Sequence, residues 1–554
     1  MPFLSPRTQK HAGPLAGLAV LCLLVLLPSL TQGEALGHPI SDMPDHLWGS
    51  WFFGSELLAG RWPDHTSISH LPEGGTIWIV DPVGGVLALL LRPLGFPAAW
   101  NGALLTQLIA ASWAGYALGF SELQARTAAF TCGLICGLCP FALGLIHSGL
   151  SEYLGMVWPT LFLLFLLRSY RGESSPYVAG LLLFGATLQA VYYGLFGVLF
   201  AGCLVLGPDV RQRTTQFIKM LITWTTLTVP LLLVIRRTIT AEDALVNADT
   251  APGWTSQTLP TIDVWSWVRP GDWVHPPTPE LGNPGILHVN YIGLVVLLLL
   301  VLGFWRSQRL RPYRIGSLLF GVFCLGPRLS WGGKPLALLL PMAMLFLLPF
   351  SPFEAIHHPY RIAAFAMPLV ALWAAAGLQA LPRKLQRLAP PLILLDFLLL
   401  SPVPYPLAAS PLPDTEIYGA IGEGAVLDFP PDLTTANRRY TMGQVQHTVP
   451  IAYGVNRFLS PTLKSDPLVN ELLGCIDRPQ RLARNRDIPP KERVRVQAKG
   501  PHRGGFTLHE LGFHHIVVHE AFLHPPESRC VERLLEHYTL AVEKRPDHSL
   551  WRTR

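Results

Sequence analysis

Asp42, Asp45 and His46 lie within one helical turn of one another, Glu152 sits in a short polar stretch between two apolar runs, and Arg328, Lys334, His357, His358 and Arg361 gather over residues 328–361. These residue types suit two tasks. A carboxylate within hydrogen-bond reach of a hydroxyl removes its proton, and cations placed near a developing negative charge stabilise it. The spacing of the first group puts Asp42, Asp45, His46 and Gly49 on one helical face.

The elements that hold these residues are set by composition. The chain has 554 residues, 50% apolar and 14% charged, against about 25% charged in ordinary soluble proteins. A wholly soluble protein is excluded. Of the 78 charged side chains (42 basic plus 36 acidic), 42 fall in residues 1–400 and 36 in 401–554. Two solvents are implied. Lys and Arg do not cluster as a nucleic-acid-binding face requires, so no nucleic-acid partner is expected.

Crossing about 30 Å of hydrocarbon takes about 20 mostly apolar residues. Runs near 13–30, 99–119, 127–146, 154–167, 176–190, 194–207, 217–235, 289–305, 314–327, 361–380 and 389–402 give eleven spans, with 176–207 broken at Tyr192-Tyr193-Gly194 because one helix that long overshoots the bilayer. Lys and Arg mark cytoplasmic loops. With the N-terminus inside, 15 of the 23 cations before residue 401 fall in inner segments and 8 in outer ones. The expected place is a plasma (inner) membrane, with residues 1–402 forming a multispanning domain and 403–554 an extracytoplasmic one. The net charge of +6 is then an average over a basic inner and an acidic outer face. The first span also reads as a signal peptide.

The first outer loop, 31–98, is long and acidic. Ser41 or Asp42 caps a helix opening near Pro44 and running to about Leu58; Leu47, Trp48, Trp51, Phe52 and Leu58 give it an apolar face, and it reads as an interfacial amphipathic helix. Residues 336–350 read as a re-entrant or surface-lying segment. Trp254, Trp265, Trp267 and Trp273 fit sugar stacking or, more simply, an aromatic belt. Asp396, inside the last apolar run, needs a cavity or a partner. Cys132, Cys136 and Cys139 share a helical face that suits core packing. Cys475 and Cys530 would lie where disulfides are permitted.

From Asp42-Met-Pro-Asp-His-Leu-Trp48 onward the chain resembles the GT-C superfamily of membrane glycosyltransferases, especially its poorly characterised bacterial multispanning group. The resemblance continues through Pro72, Asp81, Cys139-Pro-Phe141, Gly149 to Pro159 with Trp158, Tyr192-Tyr193-Gly194 and His358-Pro-Tyr-Arg361, and it extends to Ala425-Val-Leu-Asp-Phe-Pro430 and Leu511-Gly-Phe-His-His-Ile-Val-Val-His519. It implies a mainly α polytopic fold and transfer of a hexosyl or pentosyl group, with inversion, from a polyprenyl-phosphate sugar donor in the membrane lipid to a glycan, lipid or protein acceptor of the cell envelope.

By position, the resemblance makes Asp42 the general base. Asp45, one turn away, would hold a metal or raise the Asp42 pKa by like-charge repulsion. Glu152 is a substrate-binding candidate; no Asp-x-Asp pair stands there, so a divalent cation is left open. Arg361 is the first choice for the lipid phosphate, with His358 and Arg328 beside it. Each has a plainer reading: a helix cap for Asp42, a solvated acid for Asp45 and Glu152, a snorkelling side chain for Arg361, a structural role for His147, His357 and His358.

In the tail, Ala425–Phe429 and His515–His519 read as buried strands and Arg529–Tyr538 as an amphipathic helix, giving a small α/β domain. Residues 477–505 read as an exposed basic loop. Strand alternation separates His514 from His515, against a histidine metal site. Two other function classes share these features: a transporter or flippase of lipid-linked sugars, disfavoured because no internal repeat is visible, and a non-catalytic envelope assembly protein with the same fold.

Overall fold

The computed structural model describes residues 6–30, 33–79, 81–205, 209–245, 261–269, 274–275, 286–304, 311–346, 358–431, 436–454, 459–476 and 507–553. Trp254, Trp273, His357 and the stretch 477–505 lie outside them. The chain divides into two units, one of Met1–His46, Val80–Val234 and Asp249–Ser410, the other of Leu47–Ile79, Ile235–Ala248 and Pro411–Arg554.

The first unit is helical. In chain order it runs α1 (Pro6–Leu26), the start of α2 (Met43–Leu58), α3 (Pro82–Leu91), α4 (Ala98–Leu123), α5 (Arg126–Leu138), α6 (Pro140–His147), α7 (Val157–Tyr170), α8 (Pro176–Gln189), α9 (Val191–Val205), α10 (Val210–Ile239), α11 (Leu294–Phe304), α12 (Arg311–Cys324), α13 (Pro341–Phe346), α14 (Ala363–Leu378) and α15 (Arg383–Leu399). Among the described residues, six segments are long and apolar enough to cross a membrane: Lys10–Ser29, Ala98–Leu123, Arg126–His147, Ser151–Tyr170, Val210–Ile239 and Pro359–Leu378. Five more apolar helices are shorter. Outward-facing Val20, Leu23 and Leu24 on α1 and Ile218, Ile222 and Leu233 on α10 leave apolar stripes that water does not favour and lipid does.

Small residues bring these helices together. Gly115 and Gly119 of α4 pack on Cys136 and Cys132 of α5, where added methyl groups would collide, so these cysteines are core, as their spacing suggests. The apolar run 176–207 does break, at Ala190 between α8 and α9, slightly before Tyr192. Asp396 is buried and accepts hydrogen bonds from the Tyr291 hydroxyl (2.7 Å) and the Val295 backbone N–H (2.8 Å). Its partner is thus the start of α11, whose N–H groups lack intrahelical acceptors.

Of residues 336–350, those to 346 are described and form part of a hairpin and a short helix. Strands β6 (Arg328–Trp331) and β7 (Lys334–Leu339) make an antiparallel hairpin, followed by α13. Buried Asp263 ties the hairpin down, accepting from Ser330 Oγ (3.0 Å) and Gly333 N (2.8 Å). Trp265 packs edge-on against Trp331 at 5.1 Å.

The second unit is the small α/β domain. Its four-stranded sheet has the order β11 (Thr539–Lys544), β12 (His548–Thr553), β10 (Phe513–His519), β9 (Ala425–Phe429), with β9 and β10 parallel. Both expected strands are present, and the expected helix begins earlier, as Pro525–Tyr538. Cys475 and Cys530 form a disulfide. Val426, Leu427, Ile516, Val517, Leu535 and Trp551 fill the core. The buried Asp428 carboxylate accepts from the Tyr418 hydroxyl (2.5 Å) and His519 Nε2 (2.9 Å), which stabilises a charge that burial alone would penalise. His514 stacks on His509 at 4.6 Å.

Part of loop one belongs to this unit, a division the sequence boundary at 402/403 does not capture. His70 N donates to Tyr453 O (2.9 Å), Ile451 N to Ile68 O (3.0 Å), and the Trp48 indole to Gln444 Oε1 (2.7 Å). Helix α2 is accordingly no interfacial helix. Leu47, Trp48 and Phe52 are buried, but so are Ser50 and Glu56, so both faces are covered.

Candidate active site

The site is built at the start of α2, within the first unit. Asn101 clamps the preceding strand, accepting from Leu36 N (2.8 Å) and donating to Glu34 O (2.8 Å), while Ala35–Leu36 pairs with Ala409–Ser410. Ser41 accepts from Met43 N at 3.1 Å, so Ser41 supplies a side-chain cap. Asp42 is half-buried, and its carbonyl accepts from Asp45 N and His46 N (both 3.1 Å).

The loop after α6 meets this helix start closely. Gly149 has φ +65°, and a Cβ there would run into Met43, so only glycine admits the approach. Three residues on, Glu152 Oε2 lies 3.3 Å from His46 Nε2, each side chain 9% exposed. Loop proximity thus turns a residue that reads as a solvated acid into a buried one.

Asp81 completes the carboxylate group. It caps α3, its Oδ1 accepting from Gly84 N (2.7 Å) and from Gln189 Nε2 (2.9 Å), while Oδ2 is buried with no hydrogen-bond partner. Burial raises its pKa, offset in part by hydrogen bonds and by His46. Asp81 and Glu152 lie within electrostatic range of each other, and Glu152 within range of Arg361.

Arg361 is the cation of the group. Its guanidinium lies 3.8 Å above the Tyr153 ring and donates from Nη1 to the Tyr153 hydroxyl at 2.5 Å, while Nε is buried without an acceptor. Tyr153 stacks parallel to Tyr192 at 6.3 Å, and the Tyr193 hydroxyl donates to Tyr153 O (2.6 Å). Tyr360 is within electrostatic reach of Asp42, Glu152 and Arg361. His358 and the buried His288 face each other at 5.4 Å, and both flank Tyr360. His147 is buried beside His38, ring centroids 5.5 Å apart.

Five of the sequence candidates therefore meet around one locus: Asp42 and Asp45 through the first turn of α2, Glu152 through His46, and Arg361 and His358 through Tyr360. Arg328 does not join them; it stands exposed at the start of the β6–β7 hairpin. Among the described residues no group of three or more His, Cys, Asp or Glu is arranged to hold a metal ion. The sequence reading named His46 and Asp81 in its motifs without giving them a site role, and it missed Gln189. Asp81-Pro82 carried a signal, an acid capping a proline-started helix, and so did Gln189, an amide within an apolar run.

No protein-family model matches the chain, and no curated protein matches it in sequence. In structure it is similar to the arabinofuranosyltransferase AftD from Mycobacteria, with a TM-score of 0.51 and 15% identity over 99% of this chain. The match takes in 42% of that protein, so the chain spans about two fifths of its length. It is also similar to the oligosaccharyltransferase AglB from Archaeoglobus fulgidus, solved in complex with an inhibitory peptide and a dolichol-phosphate, with a TM-score of 0.46, 10% identity, 97% of this chain and 73% of that one. The expectation raised by Asp42-Met-Pro-Asp-His-Leu-Trp48 is met at the level of architecture: this chain has the fold of the GT-C membrane glycosyltransferases.

Proposed function

We propose that the protein is an integral membrane glycosyltransferase that moves a sugar from a polyprenyl-phosphate donor to an acceptor on the extracytoplasmic face, with inversion at the anomeric carbon. The reading rests chiefly on one observation: a half-buried guanidinium, Arg361, whose buried Nε–H has no acceptor and which has no hydrogen-bonded carboxylate, sharing a locus with the carboxyl groups of Asp42, Asp81 and Glu152. A cation left this way suits an anionic ligand.

In this mechanism Asp42, the least buried of the three, takes the proton of the acceptor hydroxyl as its oxygen attacks the anomeric carbon. The bond from that carbon to the phosphate oxygen breaks, and the electron pair leaves on the polyprenyl phosphate. Arg361, fixed by Tyr153, holds that phosphate. Asp45 and His46 follow Asp42 on the same turn; Glu152 orients His46, and Asp81 and Gln189 form the floor beneath. His358 and Tyr360 support Arg361 from the other side.

The test is the purified full chain in lipid vesicles supplied with a set of polyprenyl-phosphate sugars and envelope glycan acceptors. A new glycosidic bond of inverted configuration is expected. Movement of the lipid-linked sugar across the vesicle with no bond formed contradicts the reading and favours a flippase.

A further inference from the structure

The β6–β7 hairpin of the first unit stands outside the candidate active site, yet it presents a surface that water does not suit. Leu336, Ala337, Leu338 and Leu339 of β7 are all exposed. Successive residues of a strand point to opposite faces, so Leu338, 57% exposed, and Leu339, 60% exposed, lay both faces of the hairpin bare. A docked protein would cover one face. Fluid lipid wraps both.

The backbone sets the depth. Among the described residues β7 pairs only with β6, so its outer edge leaves N–H and C=O groups without strand partners, and hydrocarbon does not tolerate an open sheet edge. Apolar faces exclude bulk water and the open edge excludes the bilayer centre, whereas the layer of headgroups and ester groups between them accepts both. Helix α12 leads into the hairpin through Leu325, Gly326 and Pro327. Its 14 residues reach about 21 Å, short of a hydrocarbon core of about 30 Å, so the hairpin at its end meets the bilayer boundary rather than standing clear of it.

Charge selects the headgroup. Arg328 at the open end of the hairpin and Lys334 beside its turn are both exposed, and neither forms an ion pair among the described residues. Residues 311–346 contain no Asp or Glu, and the carboxylate that touches the hairpin, Asp263, is buried and already holds Ser330 and Gly333. Arg269 adds a third cation, 5.7 Å from the Trp265 ring that packs on Trp331. Tryptophan gathered with cations is the composition of a membrane interface, and cations at both ends hold a hairpin flat against phosphates rather than tip-first.

We propose that the β6–β7 hairpin lies flat in the interfacial layer of the membrane and binds anionic phospholipid headgroups through Arg328 and Lys334. The inference rests on the membrane fold and not on glycosyl transfer, and it is tested without any activity. It gives Arg328 a role away from the candidate active site.

The experiment uses the full chain with its exposed free cysteine removed by Cys203→Ser, and a bimane label introduced through Ala337→Cys or Leu338→Cys in separate preparations, one on each face. Vesicles of dioleoylphosphatidylcholine and dioleoylphosphatidylglycerol in equal parts carry nitroxide-labelled lipid, with the nitroxide near the ester or near the chain end, on either headgroup. Both labels should be quenched, more by the shallow nitroxide than by the deep one. Quenching by the glycerol lipid should exceed that by the choline lipid about fivefold, the effect of about 1 kcal/mol. Arg328→Gln with Lys334→Gln should cancel the headgroup preference and leave the depth unchanged; both side chains are exposed, so this variant should melt within about 2 °C of its parent. A label on either face that lipid nitroxides fail to quench, stronger quenching by the deep nitroxide, or a headgroup preference that is absent from the parent or survives the double change, overturns the proposal.

Discussion

His46 Nε2 and Glu152 Oε2 face each other at 3.3 Å, both buried, across 106 positions of sequence. The contact joins the first turn of α2 to the loop before α7, and so fixes Asp42 and Arg361 in one frame. If it serves the reaction, its loss lowers turnover more than stability. Glu152→Gln, which keeps the shape and removes the charge, should reduce transfer by about tenfold or more while the melting temperature moves by less than about 3 °C. A large melting shift with unchanged transfer would make the pair purely structural.

Asp81 gives a pH signature. Burial raises its folded pKa above that of the unfolded chain, so the native state binds the extra proton. Its contribution to stability is then full below about pH 4 and declines as pH rises through the higher folded value. Asn at this position still accepts from Gly84 and Gln189. Asp81→Asn should therefore melt at or above the wild-type temperature at pH 7 and show a flatter profile between pH 4 and 8. A variant less stable than wild type at pH 7 would show that the charge itself is stabilising.

Arg361→Ala should raise the half-saturating concentration of the polyprenyl-phosphate donor by about tenfold or more, with a smaller change for the acceptor. Arg361→Lys, which keeps charge but loses the planar guanidinium stacked on Tyr153, should lie between. A change confined to the acceptor would overturn the assignment of Arg361 to the phosphate.

How much of this was legible from the residues follows the range of the interactions. Helix α2 and the strands Ala425–Phe429 and Phe513–His519 are local patterns of caps, periodicity and β-branched runs, and they appear close to where those patterns put them. The pairing of Cys475 with Cys530 was open, since two cysteines in a permissive compartment do not state their distance. The burial of Glu152 was hidden because it depends on Gly149 meeting Met43, a contact with no local signature. Loop one misled for the same reason: its apolar and polar faces looked like a membrane-surface helix, yet Gln444 binds Trp48 from nearly 400 residues away.

The disulfide offers a check on the second unit. It closes a loop of 55 residues, worth about 4 kcal/mol on chain-entropy grounds. Reduction of the full chain should bring a separate, lower-temperature unfolding step, followed by the fluorescence of Trp551, which is buried in that core. A melting profile insensitive to reductant would show that the bridge adds nothing to this unit's stability.

Asp42 carries the central claim, and Asp42→Asn tests it most directly, in membranes holding equal amounts of wild-type and variant chain with a donor the wild type accepts. Transfer should fall by about 10²–10⁴-fold while donor binding stays within about twofold, because the amide keeps the fold of α2 but takes no proton. Undiminished transfer by Asp42→Asn would contradict the account and remove Asp42 as the base.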